Sequence, residues 1–250
     1  MKLCKISVGN GSIWYDGDLL ASCDARIFDP DWLRQSGALT GSSTGRNQAF
    51  FLRHQGREMV LRHFWRGGLL GKVNPDLYLR QSVARSRAMR EMMLLNWMHE
   101  QGLPVPQPVA ARFSPMGLFY RADIITLRLQ DTRTLAEVLR DHALVPALWA
   151  EVGAVIARMH AAGVYHSDLN CRNILLQKGD KIWLIDFDKC ERRDPGPWAE
   201  ENLVRLKRSF EKEKTKVAGL YWQDADWSAL LAGYQNARQL IQMPSGHNAG

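Results

Sequence analysis

The sequence predicts an α+β fold in two lobes: a small β-rich lobe over residues 1–129, including an N-terminal extension, and a mostly helical lobe over 130–250. Three observations lead there. Short strand-like runs precede residue 130, whereas the long stretches of helical periodicity mostly follow it. The composition is that of a globular chain, 46% hydrophobic and 24% charged. A length of 250 residues suits one large core or two modest ones sharing a cleft.

In chain order, residues 1–37 read as irregular, with turn signals at Gly9–Gly11, Asp16–Gly17 and Asp29–Pro30. Residues 49–53 and 58–64 are strand-like and flank Gln55-Gly56, a hairpin signal. Residues 80–101 have helical spacing, with Met89, Met93, Leu94 and Trp97 on one face. Gly102 stops that helix, and Leu-Pro-Val-Pro-Gln-Pro follows as an extended connection within the first lobe. Residues 119–129 read as strands, and the inter-lobe linker falls at 128–134. A short helix is expected at 134–141 and a longer one at 146–162, stopped by Gly163. Two apolar runs, 174–176 and 181–185, are split by the turn Gln-Lys-Gly-Asp. Helices are expected again at 198–216 and 224–242, and the final MPSGHNAG should fray.

A net charge of +7 and a pI of ≈ 9.4 suit nucleic acid, an anionic membrane surface or a phosphorylated substrate, or serve only solubility. No zinc-finger spacing, basic zipper or aromatic RNA-binding signature is found, so nucleic acid is not expected as a partner. The four cysteines, Cys4, Cys23, Cys171 and Cys190, form no C-x-x-C pair, which argues against zinc and thioredoxin-like chemistry and against a disulfide framework. The N-terminal MKLCKISVGNG lacks the apolar core of a signal peptide. Residues 143–164 are the best candidate for a membrane span, but Pro146, Glu151, Arg158 and His160 make them a buried amphipathic helix instead. A soluble, reduced, cytoplasmic protein is the expectation.

Chemistry concentrates in Val164-Tyr-His-Ser-Asp-Leu-Asn-Cys-Arg-Asn-Ile-Leu-Leu176 and, after a turn, Trp183-Leu-Ile-Asp-Phe-Asp188. A helix end, a loop with His166, Asp168 and Asn173, a hairpin, then an acidic residue after an apolar strand: this resembles the catalytic core of protein-kinase-like phosphotransferases. Their pattern is H-x-D-x-x-x-x-N followed by D-F-G; here it stands as HSDLNCRN and DFD. Phosphoryl transfer from ATP concentrates negative charge at the γ-phosphate, so catalysis is mostly positioning and cationic stabilisation. Mg²⁺ takes hard oxygen ligands; Asp186 and Asn173 are the metal candidates. Asp168 is the candidate acceptor of a hydroxyl proton, and His166 is expected to brace the loop.

The same resemblance extends upstream. Residues 39–48, with Gly41 and Gly45, precede the first hairpin and could cover ATP phosphates with backbone N–H groups, or be a plain Ser/Gly surface loop. The strand lysine of the pattern is missing; Arg62, on the same face as Val60, is the candidate to take its phosphate role, the alternative being an exposed strand arginine. Glu91 is its candidate partner, unless it is a solvated residue pairing with Arg87 or Arg90. Adenine is expected near residues 124–127. Asp188 replaces a glycine that lets the loop flip in regulated kinases, and neither an A-P-E segment nor an activation-loop length follows. Both departures argue for a small-molecule kinase.

Val60-Leu-Arg-His-Phe-Trp-Arg-Gly-Gly68, the run at 102–108, HSDLNCRNILL, IDFDKC and Asn202-Leu-Val-Arg-Leu-Lys-Arg-Ser209 together resemble the bacterial 3-deoxy-D-manno-octulosonic acid (Kdo) kinases of the lipopolysaccharide-kinase group, over roughly residues 40–210. The resemblance implies transfer of the ATP γ-phosphate to the 4-hydroxyl of Kdo on a lipid A precursor. It also implies a Gram-negative source and a peripheral place on the cytoplasmic face of the inner membrane. Such an acceptor carries a carboxylate and phosphates, which cations near the site should hold. Arg172, Lys189, Arg192 and Arg193 are the candidates, against the alternative of a solvated basic turn. Other readings are a heptose or aminoglycoside-type kinase, and a pseudokinase-like module that binds lipopolysaccharide intermediates.

Overall fold

The computed structural model describes residues 1–43, 48–65 and 76–243. The architecture is mixed α+β. By contact density the chain divides into two compact units, residues 1–99 with 106–128, and residues 100–105 with 129–250.

The first unit is built on an antiparallel sheet. Its strands are β1 (Leu3–Val8), β2 (Gly11–Asp16), β3 (Leu39–Ser42), β4 (Ala49–His54), β5 (Arg57–His63), β6 (Tyr78–Leu79), β7 (Pro108–Met116) and β8 (Phe119–Leu127). The order is β1-β2-β7-β8-β5-β4-β3, with β6 also on β8. Ile13, Leu20, Phe28, Leu33, Leu52, Met59, Leu61 and Ile125 fill the core of this unit.

Residues 1–37 are therefore not irregular. They supply β1, β2 and the short α1 (Pro30–Gln35), and β2 pairs with β7. Strand β1 is an edge strand with only Cys4 and Ile6 half-buried, so its short alternation with exposed Lys5 and Ser7 is a weak signal. Asp29–Pro30 begins α1: the Asp29 carboxylate accepts from the Asp31 N–H at 2.9 Å, and Pro30 occupies the first helical position. Gln55 and Gly56, both with positive φ (47° and 71°), make the two-residue turn between β4 and β5.

The helix expected from residue 80 starts later, as α2 (Arg87–Glu100). Residues 83–85 form a 3₁₀ turn, and the chain leaves the helical region at Ser86, whose carbonyl accepts from the Arg90 N–H. Its buried stripe also differs in part. Met89 and Leu94 are buried as expected, together with Ala88, Glu91, Met92, Leu95 and Met98, while Trp97 is half-buried and Met93 is exposed. A polar residue, Glu91, sits within the buried stripe, which hides the true face from a hydrophobicity reading.

The second unit holds β9 (Thr132–Thr134), α3 (Leu135–Asp141), α4 (Pro146–Ala161), β10 (Val164–Tyr165), β11 (Ile174–Gln177), β12 (Lys181–Leu184), β13 (Glu191–Arg192), α5 (Trp198–Lys216) and α6 (Asp224–Gln242). Thr134 and Glu137 close a capping box on α3. Helices α4 and α6 touch backbone to backbone. A Cβ on Gly153 would lie 2.0 Å from the Leu230 carbonyl oxygen, and one on Gly233 the same distance from that of Ala150. The segment 143–164 is accounted for by buried α4, and no described helix is long and apolar enough to cross a membrane. Pro104 belongs with this unit, where the Leu184 N–H bonds its carbonyl at 2.9 Å, whereas Pro106 and Pro108 fall in the first. Residues 244–250, expected to fray, lie outside the described residues.

Candidate active site

Two short ladders tie the motif together. Strand β10 pairs with β13, and β11 pairs with β12. The loop 166–173 leaves β10 and enters β11; the loop 185–190 leaves β12 and enters β13. Both loops are thus clamped at both ends. Ile174 opposes Leu184, and the Ile185 N–H donates to the Asn173 carbonyl at 3.0 Å. This register sets Asp186 one residue beyond Asn173's partner.

His166 is fully buried. Its Nδ1 accepts from the Asp168 N–H at 3.1 Å, so its Nε2 carries the proton and donates to the Ile185 carbonyl at 3.1 Å. Burial depresses its pKa, which keeps the ring neutral. The ring packs on Phe187 at 4.8 Å. The Ser167 hydroxyl donates to the Asp188 carbonyl at 2.7 Å, joining the two loops once more.

The Asp168 side chain is exposed. Its carbonyl accepts from the Asn170 and Asn173 Nδ2 groups, each at 2.9 Å. Asn173 therefore spends its nitrogen on the loop, which leaves the amide oxygen as the atom able to meet a cation. Asp186 adopts φ 66°, a left-handed conformation that aspartate tolerates better than most residues. Among the described residues no group of three or more His, Cys, Asp or Glu side chains is placed to hold a metal. One carboxylate and one amide oxygen nevertheless suit Mg²⁺, which takes few protein ligands and completes its shell with phosphate oxygens and water.

The structure also brings Arg62 and Glu91 together. Arg62 Nη2 lies 2.6 and 2.8 Å from the two oxygens of buried Glu91. Glu91 is thus buried rather than solvated, and the strand arginine is a partner of it. Gly41 is not in a loop before the first hairpin. It lies within β3, paired with Phe51, and a Cβ there would meet the Phe51 ring at 3.3 Å. Ser and Thr around it carry no apolar alternation, so the strand is invisible in the sequence. Gly45 lies outside the described residues.

Helix α5 supplies what sequence reasoning missed. Asn202 reads the His166 backbone from both sides, accepting its N–H at 3.1 Å and donating to its carbonyl at 3.0 Å. Arg205 Nη1 pairs with Asp168 Oδ1 at 2.6 Å. The Ser209 hydroxyl accepts from the Cys171 N–H at 2.9 Å. Glu213 holds Arg172 at 2.7 Å. Burial works against ionisation of Glu213, but hydrogen bonds from Arg172 and Lys216 prevail and hold its carboxyl below the usual range. Residues 202, 205, 209 and 213 follow helical spacing, so one stripe of α5 templates the whole loop. Polar residues at that spacing, flanked by the apolar Leu203, Leu206 and Phe210, were the available signal.

Of the four acceptor candidates, Arg172 is therefore committed to Glu213. Arg193 stacks on Tyr165 at 3.6 Å and bonds Glu191. Arg192 lies in β13, and Lys189 occupies a turn at φ 59°.

The model of the Lipopolysaccharide kinase (Kdo/WaaP) family matches residues 30–234. The chain belongs to this family. Relatives named 3-deoxy-D-manno-octulosonic acid kinase include one from Vibrio vulnificus (strain CMCP6), 41% identical over 91% of this chain and 96% of the relative. Another, from Actinobacillus succinogenes, is 40% identical over 84% and 90%. A third, from Haemophilus influenzae (strain PittEE), is 38% identical over 83% and 89%. As a member of this kinase family the chain is a phosphotransferase, and membership implies use of ATP with a divalent metal.

Proposed function

We propose that the chain transfers the γ-phosphate of ATP to the 4-hydroxyl of Kdo on a lipid A precursor, with Mg²⁺ as the divalent ion. The reading is supported by relatives near 40% identity along most of the chain. The observation that carries it is the loop geometry: Asp168 is exposed on a loop anchored by His166, and Asn173 is registered against the strand leading to Asp186.

In this reading Asp168 accepts the proton of the acceptor hydroxyl as its oxygen bonds the γ-phosphorus. The bond to the β–γ bridging oxygen breaks, and ADP leaves. A sugar hydroxyl is far too weakly acidic to ionise at neutral pH, so the proton moves late, with bond formation. Asn173 and Asp186 would hold the metal. When bound, the ion neutralises charge on the transferring phosphates. Arg62, oriented by Glu91, takes the phosphate role of the usual strand lysine, and the β3–β4 hairpin with Gly41 covers the nucleotide. The first unit is then the nucleotide lobe of a bilobal kinase, with its boundary at 129–130. The enzyme works as a peripheral protein on the cytoplasmic face of a Gram-negative inner membrane.

Mass spectrometry of Kdo-lipid A after incubation with protein, ATP and Mg²⁺ tests this. A gain of one phosphate on Kdo is expected, and Asp168→Asn lowers the rate by about 10²–10⁴-fold with an unchanged melting profile. Transfer only to a heptosylated core acceptor, or equal rates from Asp168→Asn and wild type, would sink the reading.

A further inference from the structure

Asp168 borders a cavity of ≈ 490 Å³ whose wall comes from the catalytic loop and α5. Five cationic side chains line it, Arg172, Arg205, Arg208, Lys212 and Lys216, against the carboxylates of Asp168 and Glu213. Glu213 is already engaged by Arg172 and Lys216, each at 2.7 Å. Arg208 and Lys212 are exposed and make no ion pair among the described residues. Positions 205, 208 and 212 succeed one another by three and four residues, so they form one ridge about 10 Å long. Like charges four apart, as at 208, 212 and 216, disfavour a helix. The helix dipole compensates only in the last turn. Helix stability therefore does not account for Arg208.

We propose that this cavity is the subsite for the anionic groups of a glycolipid acceptor. Arg205 takes a carboxylate carried on the same sugar ring as the reacting hydroxyl. Arg208 and Lys212 take phosphates farther along the same acceptor. The argument for Arg205 is geometric: it gives Nη1 to Asp168, and its planar fork still presents Nε and Nη2 to an anion beside the base. A neutral sugar would leave these cations unmatched, so the ridge selects acidic sugars. The proposal rests on the sugar-kinase reading above and moves the acceptor contacts from 189–193 to α5.

The test is the double variant Arg208→Ala/Lys212→Ala, read in two ways. Binding of Kdo-lipid A in detergent is measured without ATP, and steady-state kinetics are measured for acceptor and ATP separately. Binding weakens on the order of ten-fold or more, and the acceptor KM rises in step while the ATP KM stays within about two-fold. Keeping both charges while swapping the side chains, Arg208→Lys/Lys212→Arg, restores most of the loss. Unchanged acceptor binding and KM overturn the proposal, as does a rise confined to the ATP KM. Lost binding to phosphatidylglycerol vesicles with an unaltered acceptor KM also overturns it, in favour of a membrane patch. If wild type transfers no phosphate to the glycolipid, the sugar-kinase reading fails by itself. The binding arm then decides the subsite: loss of binding in the variant supports it, and no binding by wild type overturns it.

Discussion

His160 shows how a buried side chain links chemistry to stability. Asn202 Oδ1 can only accept, so His160 Nε2 carries the proton towards it at 3.3 Å, and the Tyr234 hydroxyl donates to His160 Nδ1 at 2.9 Å. Burial pushes the pKa of His160 down to about 4, whereas an unfolded histidine titrates near 6.5. Between those values the unfolded chain binds more protons. Stability is therefore complete above about pH 6.5 and falls as the pH drops towards about 4, by about 3 kcal/mol in all. His166, also buried neutral, shifts in the same direction. Urea midpoints measured at pH 7 and pH 5 should show the decline, and His160→Gln should flatten it. An equal slope in both proteins would assign the decline to other groups. The role of Asn202 behind these histidines was not legible, because a lone asparagine in an amphipathic helix looks like a surface residue until its partners are in place.

Helix α5 matters as a unit because its polar stripe holds one loop at four points. Asn202→Ala leaves the buried N–H and carbonyl of His166 without partners. The expected cost is about 2 kcal/mol or more, with turnover by the folded protein down on the order of ten-fold or beyond as the loop shifts. Full activity in a folded Asn202→Ala protein would contradict the templating role. The contact between α4 and α6 depends on absent side chains. Gly153→Ala places a methyl group 2.0 Å from a backbone oxygen. The helices must part, and the denaturation midpoint should fall by an amount equivalent to about 3 kcal/mol. The bounds of α5 and α6 follow from sequence alone, since both carry a strong 3.6-residue period. Strand β3 did not show because a Ser/Gly strand has no alternation to read, and β1 did not because its alternation is short and only half-buried.

The whole chain carries +7, and a kinase of this family implies anionic ligands at its site. Binding to vesicles rich in anionic lipid is expected to weaken as salt is raised from about 0.05 to 0.5 M, where the screening length falls to a few ångströms. Salt-independent sedimentation with the vesicles would point to apolar insertion instead.

Spacing in the linear chain was enough to group the residues proposed for phosphotransfer. His166, Asp168, Asn173 and Asp186 lie within twenty-one residues on one loop–hairpin–loop, where local chain geometry dictates proximity. The pairing of Arg62 with Glu91 and the ridge beside Asp168 join residues some thirty to forty positions apart. Such contacts depend on which helix faces are buried and which strands pair. Those choices are made by the packing of the entire unit, and no local pattern encodes them.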